Sequence, residues 1–226
     1  MNTKSKSVPD DILLRTRSLL PKGRMGYGQA RLVAQAQATR VRKLLADTST
    51  RFSLDWIEQI PNVSVTLMTV EEIEKRTGSP AVSGATDMRK DGTYRIYIND
   101  NNSITHCRFT LAHELYHVIV GPFVDDIFTD FGYGDEDLHS RRVEHLADHF
   151  AANLLMPNAL VRRAWGLPVR GLSELAALFG VSEDAMRIRL RTVGLIRSGL
   201  TKKMFYRRPR ARRAGLREQR GQIWST

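Results

Sequence analysis

The alternation of apolar and polar positions divides the chain into a series of short elements. From Gly28 to about Leu45, Ala30, Val33, Ala34, Ala38, Val41, Leu44 and Leu45 recur at helical spacing, which predicts an amphipathic helix. A shorter helix is predicted over Leu54–Gln59, ending before Pro61. Asn62–Met68 alternates apolar with polar residues, the period of a half-buried strand. Val70–Arg76 reads as a short charged helix closed by Gly78. Ala81–Asn99 reads as a β-hairpin: Lys90-Asp91-Gly92 supplies the turn, and Tyr94, Ile96 and Ile98 share one strand face. Ser103 then stands as the N-cap of a helix that stops at Gly121-Pro122. Residues 123–139 read as a loop that mixes Phe123, Phe128, Phe131 and Tyr133 with Asp125, Asp126, Asp130, Asp135, Glu136 and Asp137. A further helix is predicted from Ser140 to Met156, with Val143, Ala147, Phe150, Ala151 and Leu154 as its buried stripe. Residues 172–190 have the pattern of a helix-turn-helix: Ala176 permits close packing, Gly180 turns the chain, and Leu175, Val181 and Leu190 fill a small core.

The helix after Ser103 carries chemistry. It reads T-L-A-H-E-L-Y-H-V-I-V-G over 110–121, with H-E-x-x-H at its centre. Residues four apart share a helix face, so His113 and His117 point at one place. Glu114 lies about 100° around from His113, close enough to hold a water beside a metal but poorly placed as a ligand. Leu111, Leu115, Val118 and Ile119 form an apolar stripe on the opposite side, which fixes the helix. Two ordinary histidines on a buried helix are the bland alternative. By residue frequencies the motif arises by chance in roughly one chain in a hundred of this length, so a metal site is the stronger reading.

Catalytic zinc takes three protein ligands and leaves a fourth position open. On the helix from Ser140, Glu144 borders the buried stripe, and an inward carboxylate is costly without a partner. Glu144 is therefore the expected third ligand. Asp148, one turn on, is expected to accept the free N–H of His113 or His117. His145 and His149 are the rivals at i, i+4, but they fall on the polar side, where solvent is the expected surrounding. His106 lies about 10 Å along the axis from His113, too far for the same ion. The six acids of the 123–139 loop are expected to be solvated. All six histidines lie between 106 and 149, which concentrates the chemistry in that window.

Composition changes the picture in three ways. No run of eighteen apolar residues exists and the N-terminus lacks an apolar signal segment, so neither a membrane span nor a secretory leader is expected. Cys107 is alone and can build neither a disulfide nor a cysteine-based zinc site, which suits a reducing, cytoplasmic setting. The net charge of +11 belongs to the ends. Residues 1–43 and 201–226 each carry +8, while 44–200 carries −5. Such tails are expected to be solvated, with weak nucleic-acid contact as the alternative. Within the helix-turn-helix-like segment the second helix opens Ser182-Glu183-Asp184, which repels phosphate. Arg187, Arg189 and Arg191 come later and spread around the helix, so packing or partner recognition is expected there rather than base reading.

R-F-T-L-A-H-E-L-Y-H followed by V-E-H-L-A-D-H-F-A-A-N-L-L-M-P resembles the ImmA/IrrE family of bacterial metallopeptidases, over about residues 80–160 and more weakly to 197. The resemblance implies zinc held by His113, His117 and Glu144, with Glu114 as catalytic base. It departs from the family pattern at Asp148, where asparagine is common. It further implies a gluzincin-type zinc endopeptidase whose substrate is a helix-turn-helix repressor, cleaved to release stress or mobile-element genes. The expected fold class is α+β: a mainly helical zincin-like core with a small antiparallel sheet, followed by the helix-turn-helix-like segment. The expected organisation is a basic, loosely ordered N-terminus (1–27), the metallopeptidase domain (28–160), the helical segment (168–197) and a basic tail (198–226). Manganese or iron is the alternative to zinc. Two other functions remain in view: a DNA-binding regulator with a structural metal, and a toxin-like protease of a two-gene module. The hairpin has two readings, an edge that takes a peptide as an added strand or a wall that only covers the core.

Overall fold

A computed structural model describes residues 8–9, 11–78, 83–128, 131, 135–167 and 171–196. The basic tail from 198 onward, Tyr133 and Asp130 lie outside the described residues, as does the start of the expected hairpin. The fold is mainly helical with one three-stranded sheet. Its helices are α1 (Ile12–Arg17), α2 (Tyr27–Leu44), α3 (Val70–Thr77), α4 (Ile104–Val120), α5 (Val124–Ile127), α6 (Glu136–Leu155), α7 (Asn158–Trp165), α8 (Leu172–Phe179) and α9 (Glu183–Thr192). Its strands are β1 (Val63–Met68), β2 (Gly84–Met88) and β3 (Tyr94–Asn99). Among the described residues, no helix is long and apolar enough to cross a membrane.

Helix α4 is the central element. It packs on α6 on one side and on β2 and β3 on another. Leu111, Ala112, Leu115 and Val118 are fully buried. Ser103 caps its start by accepting the His106 N–H. Helix α2 packs along α6, and its buried face carries Ala30, Ala34, Ala38 and Val41, small or branched residues three or four apart that suit close backbone approach. Helix α3 carries a capping box between Thr69 and Glu72 and ends at Gly78, whose φ of 70° suits the left-handed closing position.

The sheet order is β1-β3-β2. The hairpin pairs β2 with β3 antiparallel, as expected, but β1 joins the other side of β3 in parallel. The sheet is therefore mixed rather than antiparallel. Helix α3 supplies the crossover that a parallel partner requires. The strand period foretells two faces, not the direction of a neighbour. With partners on both edges β3 is central, and Tyr97 is buried as well as Tyr94, Ile96 and Ile98.

The expected loop over 123–139 contains helix at both ends. Asp135 accepts the Leu138 N–H and starts α6 at Glu136, four residues before Ser140, and α5 forms just after α4. The N-terminal region is also more structured than its composition implied. Ile12 is buried, and Arg17 reaches across to the end of α4. Its guanidinium donates to the carbonyls of Ile119 (3.1 Å) and Val118 (2.8 Å) and to the Tyr94 hydroxyl (2.9 Å). A helix leaves its last four carbonyls without intrahelical donors, and a cation there also meets the negative end of the helix dipole.

The helix-turn-helix-like segment shares the main core. Leu175, Phe179 and Leu190 are fully buried within a single cluster that runs from Val8 to Ile196. Two buried arginines secure it. Arg108 on α4 donates to Gly180 O (3.1 Å) and Phe52 O (2.8 Å). Arg189 on α9 donates to Met156 O (2.8 Å) and Asn153 Oδ1 (2.8 Å) at the end of α6. Burial lowers both guanidinium pKa values to about 10, so both remain charged at neutral pH. Arg189 therefore faces the protein interior and cannot read a base.

Replacing Arg17 by alanine removes hydrogen bonds from a charged donor. It should lower unfolding stability by roughly 2 kcal/mol. Urea denaturation of the metal-free chain checks this, with Arg17→Lys expected to restore only part of the loss.

Candidate active site

The packing of α4 on α6 brings together side chains about thirty residues apart. Tyr116 from α4 meets Phe150 from α6 with ring centroids 5.3 Å apart, and Ala147 and Ala151 are fully buried. These contacts set the spacing of the two helices. One face of α4 then presents His113 and His117 to Glu144 and Asp148 on α6.

Each of His113, His117 and Glu144 offers one atom, and the three atoms lie within 4.8 Å of one another. Among the described residues this is the one such group. His113 Nε2 is 3.2 Å from His117 Nε2 and 3.1 Å from Glu144 Oε2. His117 Nε2 is 3.4 Å from Glu144 Oε1. Tetrahedral zinc with bonds of 2.0–2.1 Å separates its ligands by about 3.3 Å, so the spacing fits that ion before any adjustment. The orientation fits as well. His113 Nδ1 lies 2.9 Å from Asp148 Oδ1. A proton donated there leaves the Nε2 lone pair facing other acceptors, an arrangement that a cation resolves.

The electrostatics favour positive charge at this point. Burial works against protonation of His113, but hydrogen bonds to Asp148 and Glu144 outweigh it and carry its pKa up to about 10. His117 is pushed down to about 4 by burial, which keeps it in the neutral form that ligates metals. The hydrogen bond with His113 holds the Glu144 carboxyl below the usual carboxylate range. Glu114 behaves oppositely. It is only 6% exposed, and burial raises its carboxyl above the usual range against the pull of His113 and of a bond from Thr86. A more basic carboxylate accepts a proton more readily.

A cleft of about 340 Å³ opens over these groups, walled by Ser83, Gly84, Phe109 and Thr110 as well as His113, Glu114, Glu144 and Asp148. Gly84, at the start of strand β2, lies on its wall, and among the described residues β2 has no sheet partner on its outer side. Gly84 lets β2 lie against α4: a Cβ there would stand 2.5 Å from Thr110 Cγ2 and 2.8 Å from Tyr97 O.

The expected site residues come together, with two corrections of reasoning. The Glu144 side chain is 56% exposed, so the cost of burying a lone acid does not place it. It stands at the cleft mouth because the border of the α6 stripe faces the histidines. His145 is exposed as expected, but His149 is half-buried, and burial and the nearby cations Arg31 and Arg189 lower its pKa to about 4. His106 bonds Ser83 Oγ at 2.9 Å rather than joining the cluster. Of the acids in 123–139, Asp135 serves as a helix cap. Thr86 is the residue that sequence reasoning missed: its Oγ1 lies 2.8 Å from Glu114 Oε2. It stands 28 residues before its partner, and no local pattern marks it.

Residues 69–191, more than half of the chain, match the Peptidase_M78 family, described as the IrrE N-terminal-like domain. The chain belongs to this family. Its His113, His117, Glu114 and Glu144 all fall within the matched part, as does the whole cleft. Among solved structures, the IrrE-like chain is similar to a Mycobacterium tuberculosis transcriptional regulator, at 16% identity and a TM-score of 0.49. That alignment covers 80% of this chain and 51% of the other, so the chain spans about half the length of that structure. No curated protein matches the chain.

Asp148 sits behind His113 as an orienting acceptor. Asp148→Ala should weaken metal affinity by about 10- to 100-fold. Competition with a chromophoric chelator reads the change, and circular dichroism should show the helices unaltered.

Proposed function

We propose that this chain is a zinc-dependent endopeptidase of the gluzincin type, and that its substrate is a helix-turn-helix transcriptional repressor. The observation that carries the enzymatic reading is the near-tetrahedral spacing of His113, His117 and Glu144 with a buried carboxylate, Glu114, beside them. A purely structural metal site has no use for that carboxylate.

His113, His117 and Glu144 would hold the ion, and Asp148 would orient His113. Zinc bound by such a set supplies Lewis acidity toward a carbonyl and lowers the pKa of water toward about 7. Glu114 takes the proton from the attacking water and delivers it to the departing amine. The free edge of β2 receives the substrate as an added strand, placing its backbone across the cleft. That geometry asks for an extended segment, such as an exposed interdomain linker. Membership of the ImmA/IrrE group supports a repressor as the protein that offers one.

A DNA-binding role for α8 and α9 has less support. Glu183 and Asp184 are exposed at the start of the second helix, and Arg189 is committed to the core. A toxin-like protease would use the same chemistry on another target, and the identity of the neighbouring gene separates the two.

Incubation of the zinc-loaded chain with the helix-turn-helix protein encoded beside it, with and without chelator, tests the proposal by mass spectrometry of fragments. Cleavage abolished by chelator supports it, and an intact partner in both arms refutes that substrate. Glu114→Gln should keep its metal yet cleave about 10²- to 10⁴-fold more slowly. Metal content and initial rates measured on the same preparation check both halves of that statement.

A further inference from the structure

One side chain joins the free edge of β2 to the base on α4, and the proton path above leaves it unused. Thr86 is the middle residue of β2, opposite Ile96 on β3, and is half-buried. Its Oγ1 lies 2.8 Å from Glu114 Oε2 and 3.3 Å from the backbone oxygen of the same residue. A hydroxyl has one proton to donate, and the shorter contact to the carboxylate takes it.

We propose that Thr86 is a positioning residue: its hydroxyl anchors Oε2 of Glu114, so that Oε1 is the oxygen turned to the cleft and the one that collects the proton. This rests on Glu114 being the base. The physical need is clear from the side chain itself. The last torsion of a glutamate is broad and two-fold, so an unanchored carboxylate samples many orientations. A base displaced by about 1 Å loses on the order of a hundredfold in rate. The anchor also holds through the whole cycle, because Oε2 accepts from Thr86 whether or not Oε1 carries a proton. The strand does not itself require a hydroxyl here, since valine serves a half-buried strand position equally well.

The placement of Thr86 has a second effect. A peptide that pairs with the outer edge of β2 would touch the same backbone that carries the hydroxyl. Gly84, two residues earlier, sets the distance between that strand and α4. Peptide docking and base orientation therefore share one rigid element.

The test compares the zinc-loaded full chain with Thr86→Val, Thr86→Ala, Thr86→Ser and Glu114→Gln. The substrate is one quenched-fluorescent peptide chosen from a library by wild-type cleavage. Zinc content and melting temperature are measured for each, together with binding of acetohydroxamate, a chelating probe whose hydroxyl proton is taken by a base beside the metal. Thr86→Val and Thr86→Ala should lose about tenfold or more in kcat, with KM within about twofold and zinc content unchanged. Both should bind acetohydroxamate several-fold more weakly, and Thr86→Ser should recover kcat to within about threefold of wild type. Wild-type kcat in Thr86→Val, alongside a Glu114→Gln that is inactive, overturns the positioning role and leaves the base in place. A rise in KM alone also overturns it, since that assigns Thr86 to peptide docking. Cleavage by Glu114→Gln at the wild-type rate removes the base reading, and the role of Thr86 falls with it.

Discussion

The contact between α4 and α6 is the constraint on which the rest of the molecule depends. His113, Glu114 and His117 come from α4 and Glu144 and Asp148 from α6, so none of the five is held by a loop. Glu144 and Asp148 stand one turn apart on α6 and meet His113 and His117, also one turn apart on α4. Two helices locked by Tyr116, Phe150 and buried alanines hold these four side chains as two rigid pairs. Sites on regular elements keep their geometry better than sites on loops. The remaining elements act on this pair. The sheet supports one flank of α4, α2 backs α6, and Arg17 closes the carbonyl end of α4.

Buried arginine is a recurrent device in this core. Arg42, Arg108 and Arg189 each donate to backbone carbonyls where the chain leaves a helix or turns. Arg42 reaches Leu154 O at 2.8 Å and lies over the Phe52 ring at 4.5 Å. A planar guanidinium can satisfy several such acceptors at once while its stem and face pack against apolar groups. Arg42, Arg108 and Arg189 are thus structural residues rather than parts of a basic surface. These charges are spent inside the protein and are not presented to nucleic acid.

What could be read from the chain alone follows the range of each interaction. The i, i+4 histidines, the Ser103 cap, the Gly78 stop and the Gly180 turn are local, and each stands where its pattern put it. Glu144 was legible as a position on a stripe border, although its 56% exposure shows that burial cost was the wrong ground. The parallel pairing of β1 was not legible, because alternation reports a face and not a neighbour. The early start of α6 was hidden by a cluster of acids that reads as loop until Asp135 is seen to cap it. Arg17 and Thr86 were invisible for one reason: their partners lie about a hundred and 28 residues away, joined only by tertiary packing.

The main core, which runs from Val8 to Ile196, has a consequence for the helical pair at its end. With Leu175, Phe179 and Leu190 embedded and Gly180 bonded to Arg108, α8 and α9 are not a detachable reader on a tether. A core held in common couples their unfolding to that of the rest of the body. An ion bound by the native state alone stabilises that body by mass action, about 2.7 kcal/mol at a hundredfold excess over Kd. Loading the centre between α4 and α6 therefore tightens two helices that never touch the ion.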